Sequence, residues 1–235
     1  MRSLPALAAV SLLAACSADS DGPARFNASG ELIAVSGGDA GAQFACLSCH
    51  GVKGEGDGDL VPRLAGLDAG YLVRQLDLYA DGPRAHPQMA AIARKLRSED
   101  RLAVSHYYAG LPAPVTAAPR GALYQRECAA CHGAAGEGRP GVPAVAGQSA
   151  AYVERQFAAW ASGDRRGDAD GTMTRISRQW SSARLAAAAA DVAALADAND
   201  YRGLPAACPP ERRADPRNGA SAPPQCVAGP AEPAR

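Results

Sequence analysis

Cys46-Leu47-Ser48-Cys49-His50-Gly51 opens a motif that closes on Gly54-Glu55-Gly56. The same motif returns as Cys128-Ala129-Ala130-Cys131-His132-Gly133 and Gly136-Glu137-Gly138. Working outward, the correspondence continues. Pro62 answers to Pro143, Ala65-Gly66 to Ala146-Gly147, Tyr71-Leu72-Val73-Arg74-Gln75 to Tyr152-Val153-Glu154-Arg155-Gln156, Gly82 to Gly163, and Met89 to Met173. A self-similar period of this length means two copies of one structural unit. The copies are predicted at 35–111 and 120–200, joined at 112–119 by a connector whose three prolines disfavour helix and favour an extended spacer.

Each copy reads as helical. Apolar residues recur at helical spacing over 68–79 (Leu72, Leu76, Tyr79) and over 149–160 (Val153, Phe157, Trp160). A short helix is expected to lead into each CxxCH. A closing helix is expected after Ser98, a candidate N-cap, in the first copy and after Ser181 or Ser182 in the second. No strand alternation is sustained. The expected class is all-α, with two small tandem domains. Aromatics are scarce and Ala, Gly and Pro abundant, so a bulky cofactor would help to fill each interior.

CxxCH supplies that cofactor. Two thiols at this spacing can add across the two vinyl groups of haem, and the adjacent His then lies under the iron. Cys46, Cys49, Cys128 and Cys131 are therefore the expected attachment points of two haem c groups, and His50 and His132 the expected axial ligands. A zinc site or a redox dithiol could use the same residues. Neither accounts for the repeated His, the repeated downstream Met or the lack of a βαβ pattern.

Beyond Met1 the chain has only Met89 and Met173, one per copy. They lie 39 residues (50 to 89) and 41 residues (132 to 173) beyond the haem His. A thioether opposite His gives a closed, low-spin iron suited to electron transfer. His86 and His106 are competing candidates, read instead as surface or supporting residues. The carbonyls of Pro62 and Pro143 are candidates to accept the second nitrogen of each ligand His. Tyr79, Trp160, Arg74 and Arg155 are candidates for contact with haem propionates.

The ends carry different signals. Residues 1–15 read as a signal peptide: Arg2, an apolar run from Leu4 to Leu13, then Ala14-Ala15. Leu13-Ala14-Ala15-Cys16 resembles a bacterial lipobox, so Cys16 is expected to be acylated, with 16–34 a tether. This places the chain in the periplasm as a membrane-anchored lipoprotein. Cys208 and Cys226, in a Pro-rich tail at 201–235, are left to pair. Such a disulfide would contribute on the order of 3 kcal/mol. The formal net charge is +0, which offers nothing to a nucleic acid.

Taken together, these motifs resemble cytochrome c4, a tandem of two class I cytochrome c domains; the likeness covers about 35–200. The resemblance implies His/Met ligation (His50 with Met89, His132 with Met173) and domains packed with propionates facing a shared interface. It also implies a respiratory-chain role, carrying electrons between membrane complexes and terminal oxidases, with no small-molecule substrate. A probable anchor and few lysines depart from the soluble members and favour a tethered relay. A fixed dihaem subunit of a dehydrogenase complex is the alternative. A dihaem peroxidase would need an open iron position, against which two available Met ligands argue.

Overall fold

The computed structural model describes residues 28–114 and 121–196. The leader, Cys16, most of the connector, and Cys208 and Cys226 lie outside them. The described chain is helical, with only isolated bridges and no strand. Among the described residues no helix is long and apolar enough to cross a membrane.

The first unit contains α1 (Gly30–Ser36), two 3-10 turns (Gly38–Ala40 and Ala42–Phe44), α2 (Leu47–His50), α3 (Ala69–Asp81), α4 (Pro87–Lys95) and α5 (Ser98–Gly110). The second contains α6 (Ala122–Glu127), α7 (Ala129–His132), α8 (Ala150–Ser162), α9 (Thr172–Gln179) and α10 (Ser182–Ala193).

The central helices form where the periodicity placed them, and side chains mark both starts. Asp68 accepts from the Tyr71 N–H at 2.8 Å and Ser149 from the Tyr152 N–H at 3.0 Å. Gly82 and Gly163 end them in the left-handed conformation. The closing helix of the first unit starts differently from expectation. Ser98 is its first helical residue and Arg97 the cap, because the Asp100 carboxylate accepts from the Arg97 N–H at 3.3 Å and from Arg97 Nε at 2.9 Å. Ser181 caps α10, accepting from the Arg184 N–H at 3.3 Å.

The first unit also reaches back into the segment read as tether. Ile33 and Ala34 are buried, because α1 crosses α5 and its apolar side closes the core with Leu67, Leu72, Leu96, Val104 and Tyr108. A Cβ at Gly30 would sit 2.1 Å from the Ala103 carbonyl, so only glycine permits that crossing. In the second unit α6 packs on α10, and the core is built from Tyr124, Phe157, Ala188, Ala189, Val192 and Leu195.

The two units are pinned together by polar contacts. Arg63 is buried. Its Nε and Nη2 donate to the Ala146 carbonyl at 3.1 and 2.8 Å, and its Nη1 donates to the Ala65 carbonyl. Gln148 exchanges two bonds with the Arg63 backbone, at 3.2 and 3.0 Å. A short antiparallel bridge adds Ala85 N–H to Asp164 carbonyl (2.6 Å) and Arg166 N–H to Pro83 carbonyl (2.7 Å).

Candidate haem sites

Each site starts from its histidine. The His50 N–H donates to the Cys46 carbonyl and that of His132 to the Cys128 carbonyl, both at 2.9 Å. The next residue turns the chain sharply. Gly51 and Gly133 have φ of 81° and 85°, and a Cβ on either would strike the carboxylate of Glu55 or Glu137. Those carboxylates hold the turn, accepting from the Lys53 N–H at 2.8 Å and the Ala135 N–H at 2.9 Å. The loop then folds back. The Gly54 carbonyl accepts from Leu64 and Ala65, and that of Gly136 from Val145 and Ala146.

This return brings the Pro62 carbonyl to 2.9 Å from His50 Nδ1, and the Pro143 carbonyl to 2.9 Å from His132 Nδ1. A carbonyl only accepts, so Nδ1 carries the proton and Nε2 keeps a lone pair for a metal. Burial lowers the pKa of both imidazoles, the proline carbonyl opposing it. The neutral, ligating form is thus the stable one. The expected role of Pro62 and Pro143 is what the geometry provides.

The four cysteines are unbridged. Cys49 and Cys131 are exposed, while Cys46 and Cys128 are half-buried with their thiols pushed up to about 11 by burial. A thiol would add to a haem vinyl group by losing its S–H bond and the vinyl π bond as a carbon–sulfur and a carbon–hydrogen bond form, with no net electron transfer. Among the described residues no group of three or more His, Cys, Asp or Glu is placed to hold a metal ion.

Met89 and Met173 lie in the first turns of α4 and α9, helices that the sequence reading did not anticipate. His86 Nδ1 accepts from the Met89 N–H at 3.2 Å, and Pro87 occupies the first turn. His86 is therefore a helix cap. In the second unit Gly171 holds the cap position, and the carboxylate of Asp168 accepts from the Thr174 N–H at 2.8 Å. His106 is exposed on α5.

One continuous cavity is lined by all four cysteines, both histidines and both methionines. Its walls are largely apolar, with Leu72, Leu96, Val104, Phe157 and Ile176 among them. The buried Ser105 hydroxyl, also in the wall, has no hydrogen-bond partner among the described residues. The donor set and the apolar walls fit flat macrocycles bound through two thiols, an imidazole and a thioether.

The propionate candidates divide. Arg74 is exposed and donates to the Gly167 carbonyl at 2.9 Å, and Arg155 is exposed at the cavity. Tyr79 and Trp160 instead carry buried guanidiniums on their rings. Arg84 stacks 4.5 Å from the Tyr79 centroid and Arg165 4.0 Å from that of Trp160. The sequence reading missed Arg84, Arg165 and Arg63. For the first two a signal existed, since each follows its paired glycine by two residues.

The cytochrome c family model matches residues 37–111 and 121–197, once over each unit. The chain belongs to the cytochrome c family. It is 39% identical over 181 residues to the thiosulfate dehydrogenase electron acceptor of Stutzerimonas stutzeri, covering 69% of this chain and 84% of that protein. It is 30% identical over 158 residues to cytochrome c4 of Pseudomonas aeruginosa (59% and 79%). Its fold is similar to a thiosulfate dehydrogenase structure from Marichromatium purpuratum, with a TM-score of 0.61 and 32% identity. That match covers 76% of this chain and 42% of the other. Cytochrome c4 from Pseudomonas stutzeri matches with a TM-score of 0.56 and 26% identity, over 64% and 93%. This cytochrome is a dihaem electron-transfer protein of the cytochrome c4 kind, with two covalently bound haem c groups.

Proposed function

We propose that this cytochrome accepts electrons from a thiosulfate-oxidising dehydrogenase and passes them to a respiratory acceptor, working in the periplasm from a lipid anchor on Cys16. Its likeness over both haem units to a thiosulfate dehydrogenase electron acceptor carries this reading. Haem 1 is attached at Cys46 and Cys49 and ligated by His50 and Met89. Haem 2 is attached at Cys128 and Cys131 and ligated by His132 and Met173. Cys208 and Cys226 close a disulfide in the tail. The cytochrome performs no substrate chemistry of its own, since a His/Met pair leaves no open position on the iron.

Rapid-mixing spectroscopy tests the partner. Purified cytochrome with thiosulfate alone stays oxidised; adding an active thiosulfate dehydrogenase reduces both haems. Failure of that reduction, with enzyme competent toward an artificial acceptor, rules the partner out. High-spin iron in the resting protein, or peroxide turnover, would overturn the carrier reading altogether.

A fixed dehydrogenase subunit is the second reading. It is favoured by the Marichromatium match, in which the related portion is 42% of a longer chain. Stoichiometric co-purification with a catalytic subunit distinguishes it from a separate carrier.

A further inference from the structure

Arg84 and Arg165 are only 5% and 6% exposed. They occupy corresponding positions, just beyond α3 and α8, and their contacts across the units are reciprocal. Arg84 Nη1 donates to Gln75 of its own unit at 2.8 Å. Its Nη2 crosses to Tyr152 Oη at 3.0 Å and to Gln156 at 2.8 Å. Arg165 Nη1 donates to Gln156 at 2.8 Å, and its Nη2 crosses to Tyr71 Oη at 3.0 Å and Gln75 at 3.2 Å. Each glutamine oxygen thus accepts from both arginines.

Every one of these acceptors is neutral, and neither arginine joins an ion pair among the described residues. Two buried cations beside each other, with no anion, are unfavourable because desolvation and mutual repulsion go uncompensated. Each guanidinium has five N–H groups and spends three on the protein bonds above. Both arginines line the cavity that holds the two haem sites. Their field is strong enough that the phenol of Tyr152 sits below the usual tyrosine range, although burial opposes this.

We propose that Arg84 and Arg165 form one shared anion site that receives the carboxylate side chains of both haems. Each haem is then charge-compensated from both units, and the two reduction potentials are linked through the interface. Arg84 and Arg165 position and tune the haems and take no part in attachment or ligation. The inference rests on the haems occupying the cavity as proposed above. Haem content and low-spin spectra test that premise separately from the potentials.

The test is spectroelectrochemical titration of the fully loaded dihaem protein as wild type, R84Q, R165Q and R84K. Losing a positive charge near both irons destabilises both reduced states. In R84Q both potentials fall, by about tenfold in the oxidised-to-reduced ratio at a fixed applied potential. R165Q gives the same pattern, and R84K, which keeps the charge without the fork, recovers most of the shift. Unchanged potentials, or a fall in one haem alone, would overturn the proposal. So would an R84K shift equal to that of R84Q, because packing and not charge would then be responsible. If R84Q does not load haem, R165Q and R84K carry the same comparison. Wild-type potentials that move with added phosphate would mean that the site takes a soluble anion and not the haem carboxylates.

Discussion

Both units build their histidine sites from the same parts and anchor them to different surroundings. In each, a glycine turn, a glutamate and a proline carbonyl fix the imidazole at the same 2.9 Å. In the first, the proline is followed by Arg63, buried and bonded to Ala146 and Gln148 of the second unit. In the second it is followed by Ala144, which packs on the first unit's core without a polar bond. The first unit also caps its methionine helix with a titratable His86, where the second has Gly171. The repeat therefore encodes the chemistry twice, whereas the buried polar anchor at Arg63 belongs to the first unit alone.

The largest expected effect breaks the equivalence at the iron. Met89→Ala converts haem 1 alone to a high-spin or water-ligated form, and Met173→Ala does so for haem 2 alone. Magnetic circular dichroism in the near infrared reads the loss of the methionine–iron signal one haem at a time. Loss of both signals from one substitution would refute the assignment of one methionine per haem.

Next comes the interface. Arg63→Ala strands the Ala65 and Ala146 carbonyls while keeping the backbone bonds to Gln148, costing roughly 2–4 kcal/mol in a thermal or denaturant melt. Because Arg63 adjoins the peptide that orients His50, the haem 1 methyl resonances in the NMR spectrum shift more than those of haem 2.

His86 gives a smaller, pH-dependent asymmetry. Burial, then Arg155 and Arg84, lowers its pKa, so the folded state binds this proton less readily than the unfolded one. The stabilisation is complete above the unfolded value of about 6.5 and is lost as pH falls through the folded value. Protonation also removes the acceptor that caps Met89. On acidification Met89 should detach before Met173, and His86→Asn, which keeps a capping oxygen, should abolish the difference. The effect is about 1 kcal/mol.

The smallest effect sharpens the comparison. Asp68→Ala and Ser149→Ala each remove a helix cap worth about 1 kcal/mol, and Ser149→Ala costs more because its hydroxyl also donates to the Asp59 carbonyl of the first unit. Urea denaturation measures both.

The haem chemistry was largely legible in the sequence because it is local. CxxCH fixes two thiols and an imidazole within one turn, and the proline carbonyl lies a short loop away. The central helices were legible through the spacing of Leu72 and Tyr79 and of Phe157 and Trp160. The methionine helices were not, since α4 and α9 are short and are started by a histidine and a glycine, weak cap signals beside Ser or Asp. The first core's reach back to Ile33 escaped notice because α1 is seven residues long and acquires its partner only when α5 folds against it. Arg63, Arg84 and Arg165 carry no local signal that sets them apart from the chain's other arginines. Their burial comes from contacts between units that are some ninety residues apart in sequence, and no local pattern reports such a meeting.

The paired arginine–glutamine–tyrosine contacts repeat the same residue types from each unit to the other. That is the signature of an isologous contact, in which one surface is complementary to itself. A unit carrying this surface is complementary to a second copy of itself, and the proline-rich connector replaces a concentration-dependent encounter with a permanently high local concentration. Pairing within one chain does not require identical halves, and here the first carries Arg63 where the second carries Ala144.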